Sequence, residues 1–240
     1  DKINAITDKA GIMQAMVDLQ GSAYFQFYVG ADIMNSDMNI FQLYQGGLGL
    51  DEKEYYIDTD ENTTEIRNAY KQHVAKMLQL IGQDEKTAAQ NMEAVMEIET
   101  RLAKVSYSAV ERRNPAANYH MFTIEELAKE IPGFDWQAYL DAVGVKDVTS
   151  LNVSQVEPVR EAVAIINSFP IEKQKAYLQW KLVDKAASYL SEDFVAQNFE
   201  FYGKVLSGKK EDQPRWKKAV SVVNSVLGEA VGQMYVEKYF

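Results

Sequence analysis

The sequence predicts a mainly α-helical protein, a multi-helix array with one early β-hairpin. Apolar residues recur at three- and four-residue spacing through most of the chain beyond residue 62. Capping residues, Gly and Pro interrupt that pattern where helices should start and stop. One stretch alone reads with a period of two. Phe25, Phe27 and Val29 alternate against Tyr24, Gln26 and Tyr28, and Met38 to Tyr44 reads similarly through Ile40, Gln42 and Tyr44. Between these runs, Asp32 to Asp37 is polar and turn-capable, so the pair reads as a hairpin. A lone hairpin is marginal in water. This one is expected to dock on helices of the chain or on a sheet the chain does not contain.

The elements follow in order. An amphipathic helix begins near Asp8, carries Ile12, Met13, Met16 and Val17, and ends at Gly21-Ser22. After the hairpin, Gly46, Gly47 and Gly49 end the strand and open a loop to Asn62, with a turn at Asp51 to Glu54. Asn62 with Glu65 reads as a capping box for a helix whose apolar face is Ile66, Tyr70, Val74, Met77, Leu78 and Ile81. Gly82 stops it. The next helix runs from Asp84 to about Lys104. Thr123 and Glu126 form a second capping box, and Asp135 caps a short helix closed by Gly144. Around Ser150 to Ser154, β-branched residues predict a second short strand. Helices resume over about 158–168, 171–190 and 192–206. A last one starts at Pro214 behind a capping Asp212, with Trp216, Val220, Val223, Leu227, Val231, Met234 and Tyr235 on one face.

Composition narrows the class. With a formal net charge of −10, nucleic acid and anionic membranes are poor partners. The absence of cysteine excludes disulfides and thiolate zinc sites, and is compatible with a secreted bacterial protein. No apolar run is long enough to cross a bilayer, which takes about 18 residues or more. The start at Asp1-Lys2-Ile3 and the close at Val236 to Phe240 inside a helical pattern lead us to expect a piece of a longer polypeptide.

Candidate chemistry is sparse. His73 has no histidine or carboxylate three or four residues away and reads as a helix-surface or boundary residue. His120 sits in a loop with no metal-type partner. Glu93 and Glu97 share a helix face, where Glu97 reaches Arg101 as an ordinary exposed pair. The acidic run Asp58, Asp60, Glu61 lacks the Gly and terminal Glu of a calcium loop and reads as a solvated helix entry. Gly46 to Gly49 is not a phosphate loop, because no Lys-Ser/Thr follows. The basic run Lys204, Lys209, Lys210, Arg215, Lys217, Lys218 reads as a solvated inter-helix loop beside Glu211 and Asp212. Asn62-Thr63-Thr64 and Asn152-Val153-Ser154 match the short glycosylation pattern. No catalytic or metal-binding residue is therefore assigned, and substrate-binding residues are left unassigned.

An ordered set of motifs nevertheless resembles one family. Gly47-Leu48-Gly49-Leu50 with Tyr55-Tyr56 follows the hairpin. Then come Val95 to Glu99, Arg113-Asn114 leading to Tyr119, Phe134-Asp135-Trp136, and the closing Ala230 to Phe240. This order is similar to the N-terminal half of the neprilysin and endothelin-converting enzyme family of zinc endopeptidases. That family's His-Glu-x-x-His motif is absent here. Asn68-Ala69-Tyr70 resembles the family's Asn-Ala-aromatic substrate strand, which belongs to the other half, so no substrate role is carried over. The resemblance implies a helical lid over a zinc-bearing catalytic domain, with zinc in the full-length parent and none bound here. Residues 1–56 would dock on that domain and residues 57–240 would form the lid. It also implies peptide substrates and a catalytic domain in the same polypeptide as partner; members of the family without cysteine are cytoplasmic or exported, and a periplasmic, cell-envelope or secreted location is favoured over a cytoplasmic one.

Two other readings stand beside it. A stand-alone helical binding or scaffolding module would show no exposed apolar area near Phe25, Phe27 and Phe41. An unrelated carboxylate hydrolase would need two converging acids, and no spacing supplies them. The lid reading expects exposed apolar surface around the hairpin and the last helix.

Overall fold

The computed structural model describes residues 2–240. Two compact units divide the chain, Asp1–Asn198 and Phe199–Phe240. The first holds a helical body with a small sheet at one edge, and the second holds three helical segments.

Helix α1, Lys9–Asp18, starts where Asp8 leaves the extended region and its carboxylate accepts the Gly11 N–H at 2.9 Å. Strands β1 (Phe25–Asp32) and β2 (Asn35–Gln45) form the expected hairpin, but its loop is only Ile33-Met34. Asp32 accounts for the shortening. Its carboxylate accepts the Met34 N–H at 2.9 Å, an Asx turn that lets pairing continue to the tip.

The hairpin also finds sheet partners within the chain. Strand β3 is Met121–Thr123 and β4 is Ser150–Val153, close to the strand expected at 150–154. The order is β1-β2-β4-β3, with β2 parallel to β4 and β4 antiparallel to β3. So the choice between helices and a foreign sheet was too narrow. Strand β3 was not anticipated, because three residues leading into a capping box give no readable period. The root of the hairpin is covered by aromatic packing. The Phe25 ring lies 5.8 Å from Phe134 and from Trp136 and 5.5 Å from Tyr139, and Phe27 stacks on Phe41 at 5.3 Å.

After the short α2 (Glu54–Ile57), α3 (Glu61–Leu80) and α4 (Glu85–Val105) form an antiparallel pair turned by Gly82 at φ +98°. Asp60, not Asn62, caps α3: its carboxylate accepts the Thr63 N–H at 3.0 Å, which leaves Asn62 exposed within the first turn. The buried face of α3 is Tyr70, His73, Val74, Met77 and Leu78, while Ile81 lies outside at the helix end. Helix α5 (Ala109–Arg112) opens on a capping box of Ser108 and Glu111, and α6 (Ile124–Glu130) on the expected box of Thr123 and Glu126. Asp135 caps α7, Trp136–Ala142. Helices α8 (Val156–Ser168) and α9 (Ile171–Ala186) complete the body, with α9 packed on α3 and α4, and α10 is Glu192–Asn198.

In the second unit, Phe199–Leu206 is a π-helix. It takes over the second part of what was expected as one α-helix over 192–206. The final helix is also divided, into α11 (Arg215–Val226) and α12 (Gly228–Tyr239), with Leu227 between them at φ −121°, ψ 31°. Asn224, Ser225 and Gly228 are weak helix formers, so a break there is inexpensive. Pro214 occupies the cap, while Asp212 accepts from the Gln213 N–H and Lys218 instead.

Replacing Asp60 by Ala should lower stability by about 1 kcal/mol, and replacing Asn62 by Ala should leave it within about 0.5 kcal/mol. Urea unfolding of the two variants separates the caps.

Candidate functional site

The densest polar chemistry lies inside the first unit, around one carboxylate. Helix α4 places Glu99 in the core, fully out of solvent. Its Oε2 accepts the hydroxyls of Tyr56 at 2.7 Å and Tyr70 at 2.8 Å. The Trp180 indole N–H lies 3.0 Å from the Tyr70 hydroxyl and 3.3 Å from Glu99 Oε1. Burial pushes the Glu99 carboxyl above its ordinary range, against the Lys181 charge and the two tyrosine hydrogen bonds, which lower it. Burial is also the first cause that raises the Tyr56 hydroxyl well above its usual range, with the Glu99 charge next.

This cluster holds the glycine-rich strap that follows β2. The Tyr56 hydroxyl accepts the N–H groups of Gly49 at 3.1 Å and Leu50 at 2.8 Å. From α9, Tyr177 donates to Gly47 O at 2.7 Å and Lys181, only 6 % exposed, donates to Leu48 O at 3.0 Å. The Tyr177 hydroxyl also accepts the Tyr24 N–H at 3.0 Å, which ties the strap to the start of β1. Two glycines are needed on steric grounds. A Cβ at Gly49 would lie 1.8 Å from the Tyr70 hydroxyl, and at Gly47, with φ +84°, 2.6 Å from the Tyr177 hydroxyl.

Neither histidine has metal-site surroundings. His73 is buried, 1 % exposed, which corrects the expectation of a surface or boundary residue. Its ring meets Trp180 edge-on at 5.5 Å and its Nδ1 lies 3.2 Å from Gln197 Nε2. Burial depresses it to about 4. The sequence hid this because α3 packs on α9 and α10 as well as α4, which widens its covered face. His120 Nδ1 is 3.0 Å from Val153 O. Among the described residues no three His, Cys, Asp or Glu stand together as a metal site. The residues present do not fit a zinc ion.

Other sequence candidates fall in place as local structure. Glu97 pairs with Lys173 and Arg101 with Glu161, not with each other, because long-range partners on α8 and α9 reach them first. Asn68-Ala69-Tyr70 lies within α3, where Tyr70 serves Glu99. Asn152 is buried and donates to Gln42 at 2.7 Å, so the second glycosylation match is out of reach of an enzyme. Glu99 is absent from the candidates drawn from the sequence; its spacing to Val95 and Leu102 on the apolar face of α4 is the signal that singles it out.

Two exposed apolar surfaces complete the inventory. The distal hairpin shows Tyr28, Val29, Ile33, Met34 and Met38 to solvent, and the outer edge of β1 pairs with no strand among the described residues. In the second unit, Trp216, Val220, Val223, Val226 and Leu227 are exposed on α11 and its end, as are Met234, Tyr235 and Tyr239 on α12.

Comparison with known proteins gives concordant results. The N-terminal model of peptidase family M13 matches residues 1–240. Endothelin-converting enzyme 1 of Rattus norvegicus is 32% identical over 224 residues, covering 91% of this chain and 29% of the relative. The Homo sapiens enzyme is 30% identical over the same share. An inhibitor complex of the zinc metalloprotease Zmp1 of Mycobacterium tuberculosis superposes with a TM-score of 0.93 at 31% identity, covering 100% of this chain and 37% of that one. PepO of Lactobacillus rhamnosis, at 19% identity and a TM-score of 0.79, shares the fold. The chain thus spans about three-tenths of the length of its curated relatives.

Gly49→Ala should cost about 3 kcal/mol or more, since the Tyr70–Glu99 contact must move, whereas Gly82→Ala, facing open space at positive φ, should cost about 1 kcal/mol. Denaturant unfolding ranks the two. His73, held below its unfolded value of 6.5, contributes stability that is present above pH 6.5 and lost as pH falls towards about 4. Between pH 7 and pH 4.5, His73→Gln should therefore lose about 2 kcal/mol less stability than the parent. Glu99, raised by burial, acts oppositely, contributing below the ordinary carboxylate range and less as pH rises.

Proposed function

This chain belongs to peptidase family M13, and from that premise we propose that it is the helical N-terminal part of a zinc metalloendopeptidase that hydrolyses peptides. The zinc and the groups that act on the scissile bond lie outside these 240 residues. The chain supplies the lid and part of the wall of the cavity in which peptides are cleaved. The carrying observation is the family match over residues 1–240 together with an extent of about three-tenths of the matched relatives.

The exposed surfaces support the division of labour. An eight-residue edge strand with open N–H and C=O groups is a template for another strand. In this reading β1 extends the sheet of the catalytic part, and the apolar residues of the distal hairpin and of α11 and α12 are covered by the remainder of the polypeptide. The glycine strap anchors that hairpin to the helical body, so the sheet contact and the lid move together. The covered hairpin root at Phe25 and Phe41 is what a self-contained module would also show. The family match and the exposed distal ribbon favour the lid. The same reading places the protein at the cell envelope or outside it, where peptides are met.

The polypeptide that contains this chain and the rest of the family's length should carry one zinc and cleave a short quenched peptide. The 240-residue chain alone should do neither. Zinc analysis and fluorescence of the two species decide, and stoichiometric zinc on the short chain would overturn the assignment.

A further inference from the structure

A groove of about 590 Å³ runs along α4, between α3 on one side and the Phe169 turn on the other. We propose that this groove binds an acidic peptide segment. Its walls carry Arg67, Lys71, Arg101 and Lys104 against Glu93 and Glu97, a local positive excess in a chain of net charge −10. Two of these cations are not neutralised. Arg67 points its guanidinium at carbonyl oxygens, Tyr55 O at 3.1 Å and Asp58 O at 2.8 Å, and Lys104 makes no ion pair among the described residues. A third is weakly held: Lys71 meets Glu93 at 3.5 Å across an exposed position. Such a pair contributes little, so a ligand carboxylate exchanges with Glu93 at little cost.

The apolar part of the groove selects among anions. Met96 is buried at its base, and the Phe169 ring lies beneath Arg101 at 5.4 Å and Lys173 at 5.8 Å. Carboxylates along the cationic wall with an apolar side chain against Phe169 describe a peptide in which acidic residues flank an apolar one. A polyphosphate uses the charges but makes no apolar contact with the half-buried Phe169 ring, beside which only the two cations stand. The site uses no residue assigned to the lid contacts, so it stands or falls independently of the peptidase reading.

The test is fluorescence anisotropy with a labelled peptide of glutamates around one leucine, titrated with the polypeptide that carries this chain. Binding should weaken several-fold between about 50 and 200 mM NaCl. Lys71→Glu with Lys104→Glu should weaken it at least ~10-fold, and leucine-to-serine in the peptide about 5-fold. Lys209→Glu with Lys210→Glu, in the other basic stretch, should leave it unchanged. Melting curves check that each variant is folded. Equal binding by all variants overturns the proposal. So does displacement by inorganic polyphosphate combined with no effect of the leucine, which would mark a general anion surface.

Discussion

A single buried carboxylate organises the first unit. Glu99 sits where α2, α3, α4 and α9 meet, and each of the other three sends it a hydrogen-bond donor: Tyr56, Tyr70 and Trp180. An unpaired carboxylate in that position would be strongly disfavoured, and the three donors offset the cost of burying it. Lys181 supplies the nearby positive charge and at the same time holds the Leu48 carbonyl. The glycines of the strap follow from the same constraint, because Tyr56, Tyr70 and Tyr177 take up the space where side chains would stand. Removing one partner leaves the others buried and unsatisfied, which makes the cluster cooperative.

The hairpin inherits its position from this cluster. The strap is fixed at Gly47, Leu48, Gly49 and Leu50, and β2 ends just before it at Gln45. Gln45 is itself held, donating its N–H to Gln155 and exchanging side-chain bonds with Tyr107. On one face the aromatic root closes against Phe134, Trp136 and Tyr139. Beyond Tyr28 the two strands run out as a ribbon whose faces are largely open. A ribbon of that kind has little cohesion of its own. Its rigidity comes from the root and from Tyr119, whose hydroxyl reaches the Asp32 carboxylate at 3.0 Å near the tip.

These features give the family assignment a physical content. In the proposed function the chain is a lid over a peptide cavity, which needs a stiff body and a defined contact with the part that does the chemistry. The Glu99 cluster provides the first. The anchored ribbon, with one open strand edge and apolar residues near its tip, is suited to the second. The proposed acidic-peptide groove lies on the outer side of α3 and α4, and its cations are arranged around the same α4 that carries Glu99 on its inner side.

Most local signals written into the sequence survived folding, although the cap moved from Asn62 to Asp60 and from Asp212 to Pro214. The caps at Asp8, Asp84, Thr123 and Asp135, the stop at Gly82 and the alternation of the hairpin each depend on neighbours a few residues away. The ordered motifs likewise sufficed for the family. Whatever depends on distant partners had to wait for tertiary structure. Strand β3 exists because β4 is beside it, the Glu97–Arg101 pair dissolves because Lys173 and Glu161 arrive, and His73 is interior because α9 and α10 close over it. Glu99 is the clearest case. Its letter is that of a solvated helix residue, and only the convergence of two tyrosines, a tryptophan and a lysine from other segments makes it a buried one.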